Sequence, residues 1–515
     1  MIVLEGLILV VTVVLVARVL VRRPIRVEAR AHPALALATI AVGAAALVVA
    51  GWVAARWDVA RHTIVVVLAL ASIAALWRAA PTFGSRRGLP PGSLGLGTSL
   101  DAIGDPTFYR RAVQRWGRVF KMSQVHQPVV CIADLGVAQA LFSAHAADLG
   151  QSEWSFNRLV PDGYLEYMRG DAHGKYRNAL SGAFAGADFA SGRDVISGAS
   201  RAQLTAHVEA SRHGGVDPES FLLPAAMATL LRGILGVPPN HGRFASLVSL
   251  FTDLIRPMEL YLPVPVRTRN TYDALVAEVR SLGDAVRAAP GATMPSVLSA
   301  LLAREAAALD DDTIVGNLIL MGKEGSIMVR GLLRWLLKML CDHPEWSARF
   351  RAIAHDQDAC AALARCFVLE TLRLHESRYV YRTALRDLQV GPYRIPRGWL
   401  VRVCVGEAHE RDDHFHEPQA FSPDRFTSRP LASERFAPFG QGAHACLGED
   451  LTLEVAQAFV QEAALQFDVR TVADGPPWRI NRHWGLWRPS QAWRVVATPV
   501  TAADAPNAGL GVVTE

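Results

Sequence analysis

The sequence predicts a mainly α-helical domain with small β-sheets, preceded by about three transmembrane helices. Three observations carry this. Apolar runs at 6–21, 34–54 and 63–77 crowd the first eighty residues and hold one charge among them, Arg18, near an end where it can snorkel. Beyond residue 100, apolar residues recur at three- and four-residue spacings over 219–236, 242–262, 313–341 and 361–375. Shorter β-rich pieces at 119–132 and 388–405 interrupt that pattern.

Each apolar run reads as a membrane helix, with spans expected near 2–21, 34–54 and 62–78. A span needs about 20 apolar residues, so the middle run suffices alone while the others need flanking residues or a thinned bilayer. A cleaved signal peptide competes for the first run, but no basic stretch precedes it and no small-x-small site follows it before Arg22 and Arg23. Arg22, Arg23, Arg26 and Arg30 fill the first loop, the second has only Arg56 and Arg61, and Arg78, Arg86 and Arg87 follow the third run. The positive-inside rule then places an integral membrane protein in the bilayer with its catalytic domain in the cytosol.

The expected organisation is a membrane anchor over 1–80, a Pro/Gly-rich linker over 81–100 with the stiff pair Pro90 and Pro91, a catalytic domain over 101–500, and a flexible tail over 501–515. Within the domain, 313–341 is about 29 residues without proline, roughly 43 Å at the helical rise, and too apolar for a surface helix. It should run through the core.

Composition narrows the partners. With 515 residues and 51% apolar content the chain can bury a large core, and a net charge of +5 with dispersed basic residues argues against nucleic acid. Six cysteines without a Cys-x-x-Cys pair suit a reducing compartment and exclude a disulfide framework.

The densest signal lies at 436–459, where Phe439, Gly440, Gly442, His444, Cys446 and Gly448 lead straight into an amphipathic helix. Glycines allow positive φ and a close backbone approach, which a thiolate facing an iron from a tight loop requires. Just before a helix start, dipole and free amides stabilise the thiolate, and Phe439 can shield the sulfur from water. At these residues the sequence resembles the cytochrome P-450 superfamily, over roughly residues 87–500.

The resemblance implies that fold, a haem b (iron protoporphyrin IX) cofactor, and Cys446 as the axial metal ligand among supporting Phe439, Gly440, Gly442 and Gly448. It extends to other segments. Glu370 and Arg373 match the family's ExxR pair, and Arg425 within Pro423, Asp424, Arg425 and Phe426 matches its later arginine, implying a buried structural trio. His173 and Arg177 resemble an HxxxR helix, and Arg382 stands where another propionate-binding arginine is expected. With His444 these would hold the haem propionates. The oxygen-handling stretch of the long helix matches Met321, Gly322, Lys323, Glu324 and Gly325, with Ser326 next. The acid is kept while glycine replaces the family's threonine, so Glu324, Gly325 and Ser326 are the candidate catalytic positions.

The activity the resemblance implies is that of a monooxygenase oxidising, by default hydroxylating, a small and lipophilic organic substrate with dioxygen. Too few residues follow Cys446 for a flavin domain, and no GxGxxG fingerprint stands out, so a separate ferredoxin or flavoprotein reductase is expected. Haem-thiolate isomerases, dehydratases and peroxide users need no donor and form the alternative that the missing threonine keeps open. A non-catalytic membrane haem sensor is the third. Trp154, Phe156, Phe251 and Tyr261 are candidate pocket residues.

Overall fold

The structure is a computed structural model describing residues 88–500, apart from 125–126, 151–158, 188, 190–192, 212–213, 256–265, 290–293, 306, 376–378, 428–430 and 480–486. The three apolar runs, most of the linker, the tail, and Trp154, Phe156 and Tyr261 lie outside the described residues. Among those described, no helix is long and apolar enough to cross a membrane.

A sheet-centred lobe comes first. Strand β1 (Gly92–Ser93) is followed by helices α1 (Leu96–Gly104) and α2 (Phe108–Trp116), the hairpin β2 (Val119–Gln124) and β3 (Gln127–Ile132), helix α3 (Leu135–Ala144) and strand β4 (Leu149–Gly150). The chain then builds a helical body: α4 (Gly170–Gly186), α5 (Arg193–Ser211), α6 (Glu219–Leu230), α7 (Phe244–Ile255), α8 (Val266–Ala288), α9 (Val297–Arg304), α10 (Asp312–Asp342), α11 (Pro344–Ala352) and α12 (Gln357–Leu374). Strands β5 (Val380–Ala384), β6 (Leu388–Val390), β7 (Tyr393–Ile395) and β8 (Leu400–Val403) return to the lobe before the short α13 (Val405–His409). Helix α14 (Glu449–Gln466) and the antiparallel pair β9 (Phe467–Ala473) and β10 (Arg494–Pro499) end the described chain.

The six-stranded sheet runs β1-β2-β3-β8-β5-β4, so the hairpin pairs with a strand some 270 residues later, β3 parallel to β8 from Val129 opposite Leu400. Alternation divides its side chains between two apolar clusters, Val130, Ile132, Val401 and Val403 on one side, Phe120, Met122, Val129 and Cys131 on the other. On the second side the Arg402 guanidinium is fully buried between the rings of Tyr109, 3.5 Å away, and Tyr379, 3.6 Å away. Tyr381, paired with Arg402 across the sheet, faces this stack, and the pleat turns its neighbour Arg382 to the opposite side.

Helix α10 is the axis of the body. Asp311 caps it by accepting from the Thr313 N–H at 2.8 Å, the next proline is Pro344, and most of its side chains are buried. Two expected boundaries moved. The periodic stretch 219–236 ends its α-helix at Leu230, continues as a π turn over Leu231–Leu235, and is stopped by Gly236 at φ 73°. The β-rich stretch 388–405 gives up its strand at Val403, and Val405 opens α13.

Candidate functional site

The loop before α14 is shaped by two residues in the left-handed region, Gly440 at φ 80° and Gly442 at φ 66°. They fold it back so that the Cys446 N–H donates to the Phe439 carbonyl at 2.8 Å, with a 3₁₀ turn over Gly442–His444 between. Gly448 precedes the first turn of α14, so Cys446 sits just before that helix. Phe439 packs half-buried against the main core. Cys446 is the only exposed cysteine of the six, all of which are described.

Helix α4 closes on this loop. The Arg177 Nη1 donates to the Ala445 carbonyl at 2.6 Å, and one turn earlier the His173 ring lies 4.1 Å from that of His444. Burial, Arg382, His173 and Arg177 together push the His444 imidazole down to about 3. Burial, then Arg177 and Arg382, lower His173 as well. The His173 Nε2 is buried without a hydrogen-bond partner. The structure thus brings together His173, Arg177, Arg382 and His444, and the side chains that lower His444 are all basic. Such a cluster is complementary to a pair of carboxylates, and porphyrin propionates fit it.

Helix α12 supplies a second assembly. The Glu370 and Arg373 side chains are fully buried and joined by two bonds, Nε to Oε2 at 2.7 Å and Nη2 to Oε1 at 2.8 Å. The Arg425 Nε and the Ser422 N–H add bonds to the Glu370 Oε1 at 3.1 and 2.8 Å. Arg373 also donates to the carbonyls of His409, Pro418 and Ala420. Bonds within the assembly thus replace the water that burial strips from both charges.

His409 links the two assemblies and was not singled out from the sequence, where no local pattern marks it. Its carbonyl accepts from Arg373, and its Nε2 accepts from the Ala437 N–H at 3.0 Å, at the start of the cysteine loop. Burial and the Arg373 guanidinium push its imidazole down to about 3. An unfolded histidine takes its proton near 6.5, so between those values the unfolded chain holds the extra proton and stability falls as pH falls. One proton gives a slope of about 1.4 kcal/mol per pH unit. His409→Gln is expected to remove one proton's share of the pH dependence of the urea midpoint below pH 6.5; an unchanged slope would place the acid sensitivity elsewhere.

On α10, Met321, Glu324, Gly325 and Met328 are half-buried at helical spacing, while Gly322, Lys323 and Ser326 between them are buried. Gly322 lets α7 approach, since a Cβ there would stand 2.9 Å from Phe251, itself a core residue. Glu324 pairs with Lys323 at 2.8 Å. Ser326, the expected stand-in for the missing threonine, is fully buried and its Oγ donates to the Lys323 carbonyl at 2.7 Å. The helix stays regular here, without the bulge that would bring that hydroxyl onto the Gly325 face.

A family model described as Cytochrome P-450 matches residues 105–496. Abscisic acid 8'-hydroxylase 2 of Oryza sativa subsp. indica is 27% identical over 399 residues, covering 70% of this chain and 78% of its own. Taxoid 2-alpha-hydroxylase of Taxus canadensis is 26% identical over 437 residues, covering 75% and 85%. The structure of a retinoic acid bound cyanobacterial protein superposes with a TM-score of 0.62 at 20% identity, over 80% of this chain and 99% of that one, which shows the shared fold.

Proposed function

This chain belongs to the cytochrome P-450 family and is a monooxygenase of that family, a premise from which we propose that it hydroxylates a small lipophilic substrate with electrons from a separate ferredoxin or flavoprotein reductase. The observation that carries the reading is the meeting of the Cys446 loop with the four basic side chains, in a chain whose relatives are named as hydroxylases.

In this reading the Cys446 thiolate would ligate the iron of haem b, and His173, Arg177, Arg382 and His444 would hold its propionates. Bound there, the group supplies oxygen activation and insertion of one oxygen atom into the substrate. The chain does the rest. The Phe439 carbonyl fixes the Cys446 backbone, and the apolar Met321 and Met328 flank Glu324 on one helix face. Glu324 is the group of that face through which protons pass. Gly325 brings no hydroxyl, and Ser326 is engaged with the Lys323 carbonyl, so the substrate's own hydroxyl completes the proton path.

The test is product formed per NADPH consumed, for the parent and Gly325→Thr, with the natural substrate and a deoxy analogue. A Cβ at 325 would stand 3.4 Å from Leu230, so the variant fits with a small shift of that side chain. Coupling should collapse with the analogue and recover in part in Gly325→Thr; equal coupling throughout removes substrate assistance.

The apolar runs before residue 80 support an anchor in the bilayer, and the arginines clustered after the first and third runs support a cytosolic domain. Protease added to inside-out vesicles should digest residues 101–500, and protection of that stretch would reverse the orientation.

A further inference from the structure

Lys323 is the least expected residue on α10. Its side chain is 9% exposed, within a helix most of whose side chains are buried, and a buried ammonium is costly unless paired and hydrogen-bonded. Its Nζ donates to the Glu324 Oε1 at 2.8 Å, and Glu324 is 34% exposed on the face that holds Gly325. The two neighbours form one unit, a buried cation behind a half-exposed carboxylate. A carboxylate in an ion pair carries no proton of its own. The ammonium beside it carries three.

We propose that Lys323 is the proton store of the oxygenation reaction, recharging Glu324 after each proton it passes on. The inference rests on the oxygenase reading above. In the step, an Nζ–H bond of Lys323 breaks as an Oε1–H bond of Glu324 forms, leaving a neutral amine beside a carboxylic acid. Glu324 passes that proton through the substrate's hydroxyl to the oxygen being reduced, and the amine regains one from solvent. Hydroxylation consumes dioxygen, two electrons from the redox partner and two protons, and yields the alcohol and water, so two passes of the relay balance the cycle. Ser326 takes no part as donor, because its hydrogen is engaged with the Lys323 carbonyl. That bond also anchors the backbone of the lysine at the position where the relay begins.

The chemistry separates this role from that of a structural ion pair. Arginine can restore the charge and the contact with Glu324, but it does not release a proton at any pH the protein survives. A purely positional role is rescued by Lys323→Arg, and a proton store is not.

The experiment compares the haem-loaded parent with Lys323→Arg, Lys323→Met and Glu324→Gln, measuring product and hydrogen peroxide per NADPH across pH. The carboxyl infrared band of Glu324 is followed in parallel in resting protein, assigned by its loss in Glu324→Gln. Coupling should fall about tenfold or more in both lysine variants and in Glu324→Gln, with peroxide taking up the difference. Lys323→Met, which removes the cation 2.8 Å from the Glu324 Oε1, should also shift the carboxyl band, whereas Lys323→Arg should leave it where it stands in the parent. Parental coupling in Lys323→Arg would overturn the proposal and make the lysine a positioning residue. Parental coupling in Lys323→Met with Glu324→Gln impaired would overturn it while leaving the acid's role intact. Parental coupling in Glu324→Gln would sink the proton route and the lysine with it.

Discussion

Cys446→Ala is expected to abolish the red-shifted Soret band of the reduced, carbon monoxide-treated protein and all NADPH-dependent product. The band reports sulfur donation to the iron, and in this chain the sulfur beside the four basic groups belongs to Cys446. The other five cysteines are buried or half-buried, and the burial of Cys341, Cys360 and Cys366 pushes their thiols up and away from thiolate character. None of them can substitute. The backbone bond from residue 446 to the Phe439 carbonyl does not depend on the side chain, and Gly440 and Gly442 still shape the loop, so the variant should fold. Iron retained with a histidine- or water-ligated spectrum is the expected residue of binding through His173, Arg177, Arg382 and His444. Persistence of the thiolate band in Cys446→Ala would mean that another sulfur holds the iron.

Glu370→Ala and Arg373→Ala should each lose about 3 to 5 kcal/mol of stability, because either change strands an uncompensated charge in a fully buried place. The arginine variant also frees the carbonyls of His409, Pro418 and Ala420, and the glutamate variant frees Arg425 and the Ser422 N–H. The expected outcome is loss of folded, haem-loaded protein rather than of turnover alone. Haem content and urea midpoint measure it, and the double substitution should cost less than the sum of the single ones, since it removes both members of the pair together. Parental haem content in either single variant would show that water reaches the pair.

The parts legible in the sequence were those whose chemistry is confined to one short stretch. The Cys446 loop announces itself because glycines and ligand must stand within ten residues of each other. The long helix was legible from 313 to 341 because apolar residues fill every face and no proline intervenes; the observed helix is one residue longer at each end. The rest depended on contacts between distant segments. His409 looks like any histidine after a strand until Arg373 and Ala437 are seen to converge on it. The burial of Lys323 beside a half-exposed Glu324 follows from the rotation of α10 against its neighbours, and spacing alone could not say which face is which. The stop at Leu230 depended on a π turn that carries the same apolar residues as an α-helix would.

The ExxR assembly also acts as a clasp on a long stretch of chain. Arg373 fastens to carbonyls 36, 45 and 47 residues further on, and most of the chain it encloses beyond α13 has little regular structure to hold itself. The entropy of closing such a loop grows only with the logarithm of its length, so one fully bonded guanidinium can hold it shut. The same guanidinium holds the His409 carbonyl, and the His409 ring holds the Ala437 N–H, so the cysteine loop is tied to α12 through one residue. A change that opens the ExxR assembly therefore loosens the cysteine loop with it, although among the described residues the two share no hydrogen bond directly.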